Sequence, residues 1–192
     1  MPEIERHPWP AFVPEGARVL LLGTFPPKRE RWSMDFFYPN RTNDMWRVFG
    51  LIFGGDSEML YDKAERRFRL PLIKQVLAER HIAMWDTAMA VRRLRDNASD
   101  KFLEIVEPIR LAEFLDRYPT IEGIITAGEK ATAVVAEQAG VAPPATGKQV
   151  ECTINNHRFT LHRMPSTSRA YPLALERKAE AYRRVFQQLN LC

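Results

Sequence analysis

Residues Arg18 to Gly50 read RVLLLGTFPPKRERWSMDFFYPNRTNDMWRVFG, and this stretch decides the fold. Val19-Leu20-Leu21-Leu22 is a short unbroken apolar run, which predicts a buried strand that Gly23 ends. Pro26-Pro27 forbid a helix directly afterwards, because proline fixes φ and clashes with a preceding helical residue. The strand must run out into a stiff loop at its carboxyl end, which is where open α/β sheets bind ligands. That loop carries Trp32, Phe36, Phe37 and Tyr38 beside the cations Lys28, Arg29 and Arg31. Asp35, Asn40, Asn43 and Asp44 add short polar groups. Aromatics beside cations and amides suit a flat, polar-edged ligand attached to an anion. Asp44 to Phe49 then has apolar residues at helical spacing, with Thr42 or Asn43 available as N-cap and Gly54-Gly55 as a stop.

Outward from this stretch, residues 1–17 read as a proline-rich lead-in with little regular structure. Residues 56–80 read as one or two helices, with Leu70, Ile73, Val76 and Leu77 on an apolar face. Ile82 to Trp85 is a second buried strand carrying Asp86-Thr87 at its carboxyl end. Arg92, Arg93 and Arg95 fall in the polar connection that follows, where a solvated loop is expected. A short amphipathic helix spans 108–117, stopped by Pro119. Residues 122–127 form the third strand, followed by Gly128 and a helix from about Glu129 to Gln138. Val150 to Ile154 and Arg158 to Arg163 alternate as strands joined by an Asn155-Asn156 turn. A last helix covers about 172–189. Strands alternating with helices predict a single domain over 1–192, a three-layer α/β/α sandwich on a central, mostly parallel, four-stranded sheet. Gly23, Asp86, Gly128 and Ser166 all follow the carboxyl ends of strands, so the four segments should converge on one cleft.

Composition narrows the chemistry. No apolar run approaches the roughly 18 residues of a membrane span. The opening MPEIERHPWP is acidic and broken by proline, unlike a signal peptide. Two cysteines, Cys152 and Cys192, support neither a disulfide framework nor an iron–sulfur cluster, which points to a cytoplasmic location. A net charge of +4 permits a polyanionic partner without demanding one. His7, His81, His157 and His162 show no helical metal pairing. Neither a phosphate-loop, a dinucleotide fingerprint nor a nucleophile elbow is present. No metal and no cofactor is expected.

The segment Met164-Pro165-Ser166-Thr167-Ser168-Arg169 has the chemistry of a phosphate grip. Small hydroxyl residues let the backbone approach a phosphate and donate to it. The same hydroxyls would also serve as an N-cap cluster for the last helix.

With both loops in view, the chain resembles the uracil-DNA glycosylase superfamily from the first strand to the last helix. Gly23-Thr24-Phe25-Pro26-Pro27 is similar to that family's first motif. Tyr38-Pro39-Asn40-Arg41-Thr42-Asn43-Asp44-Met45-Trp46 resembles a stretch of the mismatch-specific uracil and hypoxanthine branches, and Met164 to Ser168 resembles the second motif. Ile82 to Asp86 and the Gly128 turn look like the hypoxanthine branch. The chain departs from the pattern at four places. Phe25 stands where relatives carry a catalytic Asn or Asp, and Ala127 where many read the base edge with Asn. Met164 replaces a common His, and Ser168 replaces a hydrophobic wedge for which Arg169 or Tyr171 could substitute.

The resemblance implies a monofunctional glycosylase acting on DNA as a monomer, hydrolysing the bond to a flipped deaminated base, uracil or hypoxanthine, in base excision repair. It implies a base pocket of Gly23, Thr24, Phe25, Pro26, Tyr38 and Gly128, and a phosphate grip of Ser166, Thr167, Ser168 and Arg169. The catalytic candidates are Asn43, which would orient the attacking water, and the carboxylates Asp35 and Asp86. Phe25 can equally be core, and Asn43 can equally be a helix cap. Two alternatives remain at this stage: a relative that binds DNA or a nucleotide without chemistry, and a hydrolase of small nucleosides.

Overall fold

The computed structural model describes residues 1–95 and 99–192. In chain order the elements are β1 (Ile4–Arg6), β2 (Val19–Gly23), α1 (Met45–Gly54), β3 (Tyr61–Asp62), β4 (Arg67–Phe68), α2 (Leu70–Glu79), β5 (Ile82–Asp86) and β6 (Ala88–Arg93). There follow β7 (Leu103–Pro108), α3 (Leu111–Arg117), β8 (Gly123–Ala127), α4 (Glu129–Ala139), β9 (Gln149–Ile154), β10 (His157–Met164) and α5 (Leu175–Gln188).

The central sheet has the order β5-β2-β8-β10-β9. It has five strands, not four. β5, β2, β8 and β10 are parallel, and β9 is added antiparallel at the edge. The extra strand comes from the hairpin at Asn155-Asn156, both at positive φ (48° and 65°), as a two-residue turn matched to strand twist requires. β2 is buried throughout, and its side chains alternate between two cores. Val19 and Leu21 meet residues of α1, α2 and α5, while Leu20 and Leu22 meet residues of α3 and α4. That division is the three-layer sandwich expected for a parallel sheet.

A second sheet, β1-β6-β7, is antiparallel and stands beside the carboxyl edge of the first. It corrects two expectations. The lead-in contains β1 and pairs with β6, and Phe12 bridges to Met84. The arginine trio is not a loop: Arg92 and Arg93 belong to β6, and Arg93 is buried. Its Nε donates to Glu5 at 2.8 Å and its guanidinium donates to the Pro26 carbonyl at 2.8 Å. Arg95 is exposed, with its guanidinium over the Phe102 ring. Residues 56–80 also differ, since the β3–β4 hairpin precedes one helix, α2. α5 starts at Leu175 and not near 172. No helix among the described residues is long and apolar enough to cross a membrane.

His162, inside β10, is almost fully buried and shares a hydrogen bond with the Thr160 hydroxyl at 2.8 Å. Burial lowers its pKa to about 4. The unfolded chain therefore binds a proton that the folded chain refuses between about pH 6.5 and pH 4. Unfolding free energy should fall as pH is lowered through that window, by up to about 3 kcal/mol. Urea titrations from pH 7 to pH 4 check this, and His162→Gln should flatten the dependence.

Candidate active site

The parallel register aligns the ends of the strands. Gly23 pairs with Asp86, Leu22 with Thr126, and Met164 with Ala127. The loops after β2, β5, β8 and β10 thus leave from one edge, as expected for the four segments. Thr87 and Ala88 turn back over this edge, donating their backbone N–H groups to the carbonyls of Gly23 and Thr24 at 2.9 and 3.0 Å.

Gly23 is required here by its neighbours. A Cβ on it would stand 2.7 Å from Asp86 Oδ1 and 2.8 Å from the Tyr38 hydroxyl. Tyr38 arrives with φ 52°, a left-handed backbone that costs about 1–3 kcal/mol for an ordinary residue. Its ring meets Trp46 edge-on at 6.3 Å, and Trp46 anchors the loop by donating to the Phe37 carbonyl at 3.0 Å. The Tyr38 hydroxyl is buried and has no hydrogen-bond partner among the described residues. Burial pushes this phenol well above its usual range, and Tyr182, Asp86 and Asp100 push it further, so it stays protonated.

Asp86 is buried against an unexpected partner. His7 Nε2 lies 2.7 Å from Asp86 Oδ2, with side-chain exposures of 4% and 8%. Trp9 offers His7 Nδ1 both an N–H at 3.2 Å and a carbonyl at 2.8 Å. The ring therefore has partners whether neutral or protonated. β1 positions it, since the His7 backbone N–H donates to Met89 of β6. Asp100 belongs to the same acidic neighbourhood: burial raises its pKa, the Thr24 hydroxyl opposes that, and the charge of Asp86 reinforces it.

Phe25 is half-buried. It packs on a small cluster of Ala88, Val91 and Leu103, edge-on to His7 at 5.5 Å and under Arg93 at 5.7 Å. Gly128 has φ 100°, and its N–H donates to the Met164 carbonyl at 3.2 Å, which ties the third segment to the fourth. Pro26 is held through its carbonyl by Arg93.

The fourth segment closes onto the head of α1. Asn43 and Ser168 form an antiparallel bridge, and the Asp44 N–H donates to the Thr167 carbonyl at 2.9 Å. Asp44 is the knot. Its carboxylate accepts from Arg169 at 3.1 Å and from Lys178 at 3.2 Å, and Lys178 also donates to the Ser168 carbonyl at 2.9 Å. Lys178 is only 1% exposed. The hydroxyls do not cap α5, which begins seven residues after Ser168 with Ala174 as its N-cap. Ser166 Oγ and Ser168 Oγ instead accept backbone N–H groups of Ser168 and Ala170, which leaves each hydroxyl proton free to donate. Arg169 remains half exposed, and Arg47 lies near enough that burial and then Arg169 lower its pKa. The loop thus exposes Arg169 and part of Ser166 and Ser168, whereas Thr167, expected in the phosphate grip, is buried at 2% exposure, because its backbone is bonded to Asp44 and packed inward.

Asn43 Oδ1 accepts the Met45 N–H at 2.9 Å in a turn one residue ahead of α1, whose N-cap is Asp44 and not Asn43. The site thus gathers Gly23, Thr24, Tyr38, Asp86 and Gly128 on one side and Asn43 with Ser166 to Arg169 on the other. Asp35 is exposed on the loop. The sequence marks Asp44 only as one of the loop's short polar groups and gives no sign of the roles of His7 and Lys178. Neither periodicity nor spacing marks a histidine in a proline-rich lead-in or a lysine on a helix as buried. Among the described residues no cluster of three metal-ligating side chains occurs.

The buried ion pair yields a test. Lys178→Met leaves Asp44 buried with only Arg169, and breaking such a pair costs about 3–5 kcal/mol. Thermal melts should show a large drop, and Asp44→Asn with Lys178→Met together should recover part of it.

No family model and no curated protein matches the chain. Among solved structures it is similar to a protein of Methanosarcina acetivorans, determined by solution NMR and described as a "putative Uracil DNA glycosylase". The two share 21% identity over 98% of this chain and 99% of that one, with a TM-score of 0.62. The chain therefore has the α/β fold of that protein, from its first strands to its last helix.

Proposed function

We propose that the protein is a monofunctional DNA glycosylase that hydrolyses the N-glycosidic bond of a deaminated base, uracil or hypoxanthine, flipped out of DNA in base excision repair. One observation carries this reading: the hydroxyl loop Ser166 to Ser168 is bridged to Asn43, at the end of the aromatic loop that delivers Tyr38 to the sheet edge. In this reading a phosphate grip, a water-orienting amide and a base site would follow one another along a nucleotide.

Flipping a base costs a few kcal/mol, least for a mispaired one. Stacking on an aromatic ring returns about 1–3 kcal/mol, which the half-buried Phe25 can supply. The C1′–N bond breaks with its electron pair leaving on the base. The sugar becomes cation-like, water adds to C1′, and the water's proton ends on the base. Such a reaction needs an oriented water and negative potential more than a strong base. Asn43 Oδ1 accepts one N–H and keeps a second lone pair for water. Asp86 supplies buried negative charge at the sheet edge, whereas Asp35 is exposed on the loop.

Purified protein should release base from duplexes bearing uracil, hypoxanthine, xanthine or mismatched thymine, with the first two preferred. Hydrolysis of free uridine or inosine with no release from duplexes would make it a nucleoside hydrolase instead. Asn43→Ala should slow single-turnover release about a hundredfold while lowering stability by only about 0.5–2 kcal/mol. Asn43→Asp keeps an oxygen for the Met45 N–H and should retain part of the rate. If both variants cleave at the wild-type rate, Asn43 serves that turn alone. Arg169→Ala should weaken binding to all sequences alike and reduce the slope of log affinity against log salt by about one.

A further inference from the structure

Two polar atoms lie close together against Gly23 at the end of β2. The site of a Cβ on Gly23 is 2.7 Å from Asp86 Oδ1 and 2.8 Å from the Tyr38 hydroxyl. Their hydrogen-bonding characters are opposite. Asp86 has its other oxygen engaged by His7, which leaves Oδ1 as an acceptor. The Tyr38 phenol is held protonated and has no acceptor among the described residues. A buried donor left without a partner is costly, and native proteins rarely leave one except where something else completes it.

A donor beside an acceptor is complementary to an N–H beside a C=O. That is the lactam edge shared by uracil and hypoxanthine, which deamination creates. Cytosine and adenine present the reverse, a ring-nitrogen lone pair beside an amino group. Their lone pair would meet the carboxylate and their amino group would meet the phenol donor. Such a mismatch leaves buried polar groups unpaired, the strongest form of discrimination open to a small pocket.

We propose that the Tyr38 hydroxyl and Asp86 Oδ1 are a paired reader of the lactam edge of the bound base, with His7 as the residue that positions Asp86. This rests on the glycosylase reading for its substrate but not for its test. The pair supplies, from the end of β5 and the aromatic loop, the edge recognition that Ala127 cannot provide. The Tyr38 O–H also meets the carbonyl on which charge builds as the base departs. The His7 N–H draws charge from Asp86, easing its approach to that base.

Ligand-observed saturation-transfer NMR on the full chain, with the free bases uracil, hypoxanthine, cytosine and adenine at millimolar concentration, tests the pair directly. Wild type should bind uracil and hypoxanthine at least about tenfold more tightly than cytosine and adenine. Tyr38→Phe keeps the ring, should melt at or above the wild-type temperature, and should abolish most of that preference. His7→Leu should lose the preference, and His7→Gln, which restores an N–H donor to Asp86, should recover it. Equal binding of all four bases, no binding of either lactam base, or an unchanged preference in Tyr38→Phe overturns the proposal. Tyr38-dependent lactam binding without cleavage of any duplex would overturn the glycosylase function and leave the paired reader standing.

Discussion

The arrangement at the site depends on an absent side chain. Gly23 and Asp86 are partners in the parallel ladder, and Tyr38 folds down over the same position. Any residue with a Cβ there would collide with both. The glycine therefore serves a close approach and not a turn, and it fixes how near a carboxylate and a phenol come at the sheet edge. Everything that surrounds them is positioned in turn: His7 by β1, Tyr38 by the anchored Trp46, and Pro26 by Arg93.

The second organising contact is electrostatic. Asp44 joins the head of α1 to the hydroxyl loop and to α5 through Arg169 and Lys178. Taking an ammonium and a carboxylate out of water costs several kcal/mol each, so such a pair is seldom kept for stability alone. Here both charges make further bonds: Lys178 reaches the Ser168 carbonyl, and the Asp44 backbone reaches Thr167. The network specifies one conformation for a loop that has no secondary structure of its own. The Thr167 and Ser168 carbonyls are engaged inward, Thr167 is buried with them, and Ser166 and Ser168 stay partly exposed.

The antiparallel sheet β1-β6-β7 has a related purpose. Arg93 ties Glu5 of β1 to the Pro26 carbonyl, and so joins the lead-in to the loop after β2. Strands of three to six residues at a sheet edge are marginal alone. They persist by docking on the larger sheet through Thr87 and Ala88. His7 is buried by this docking and by the aromatic rings of Phe25, Phe37 and Trp9.

The sequence by itself determined the layers and the edge at which the site forms. Val19 to Leu22, Ile82 to Trp85 and residues 122–127 are short continuous apolar runs ended by turn or helix signals, and such runs have one good home, a parallel sheet covered on both faces. Strand direction then forces the loops after Gly23, Asp86, Ala127 and Met164 to a common edge. Tertiary structure alone decided what those loops do to one another. The β1–β6 pairing joins residues far apart in sequence, and its edge positions carry no alternation to announce them. Lys178 sits on a helix whose arginines are at least partly solvated, and its partners Asp44, 134 residues away, and the Ser168 carbonyl make its burial tolerable. Arg93 reads as a surface arginine until its carbonyl and carboxylate partners are in place. Local propensity fixes periodicity within an element, whereas the pairing of buried charges depends on distance in space, which a linear pattern does not encode.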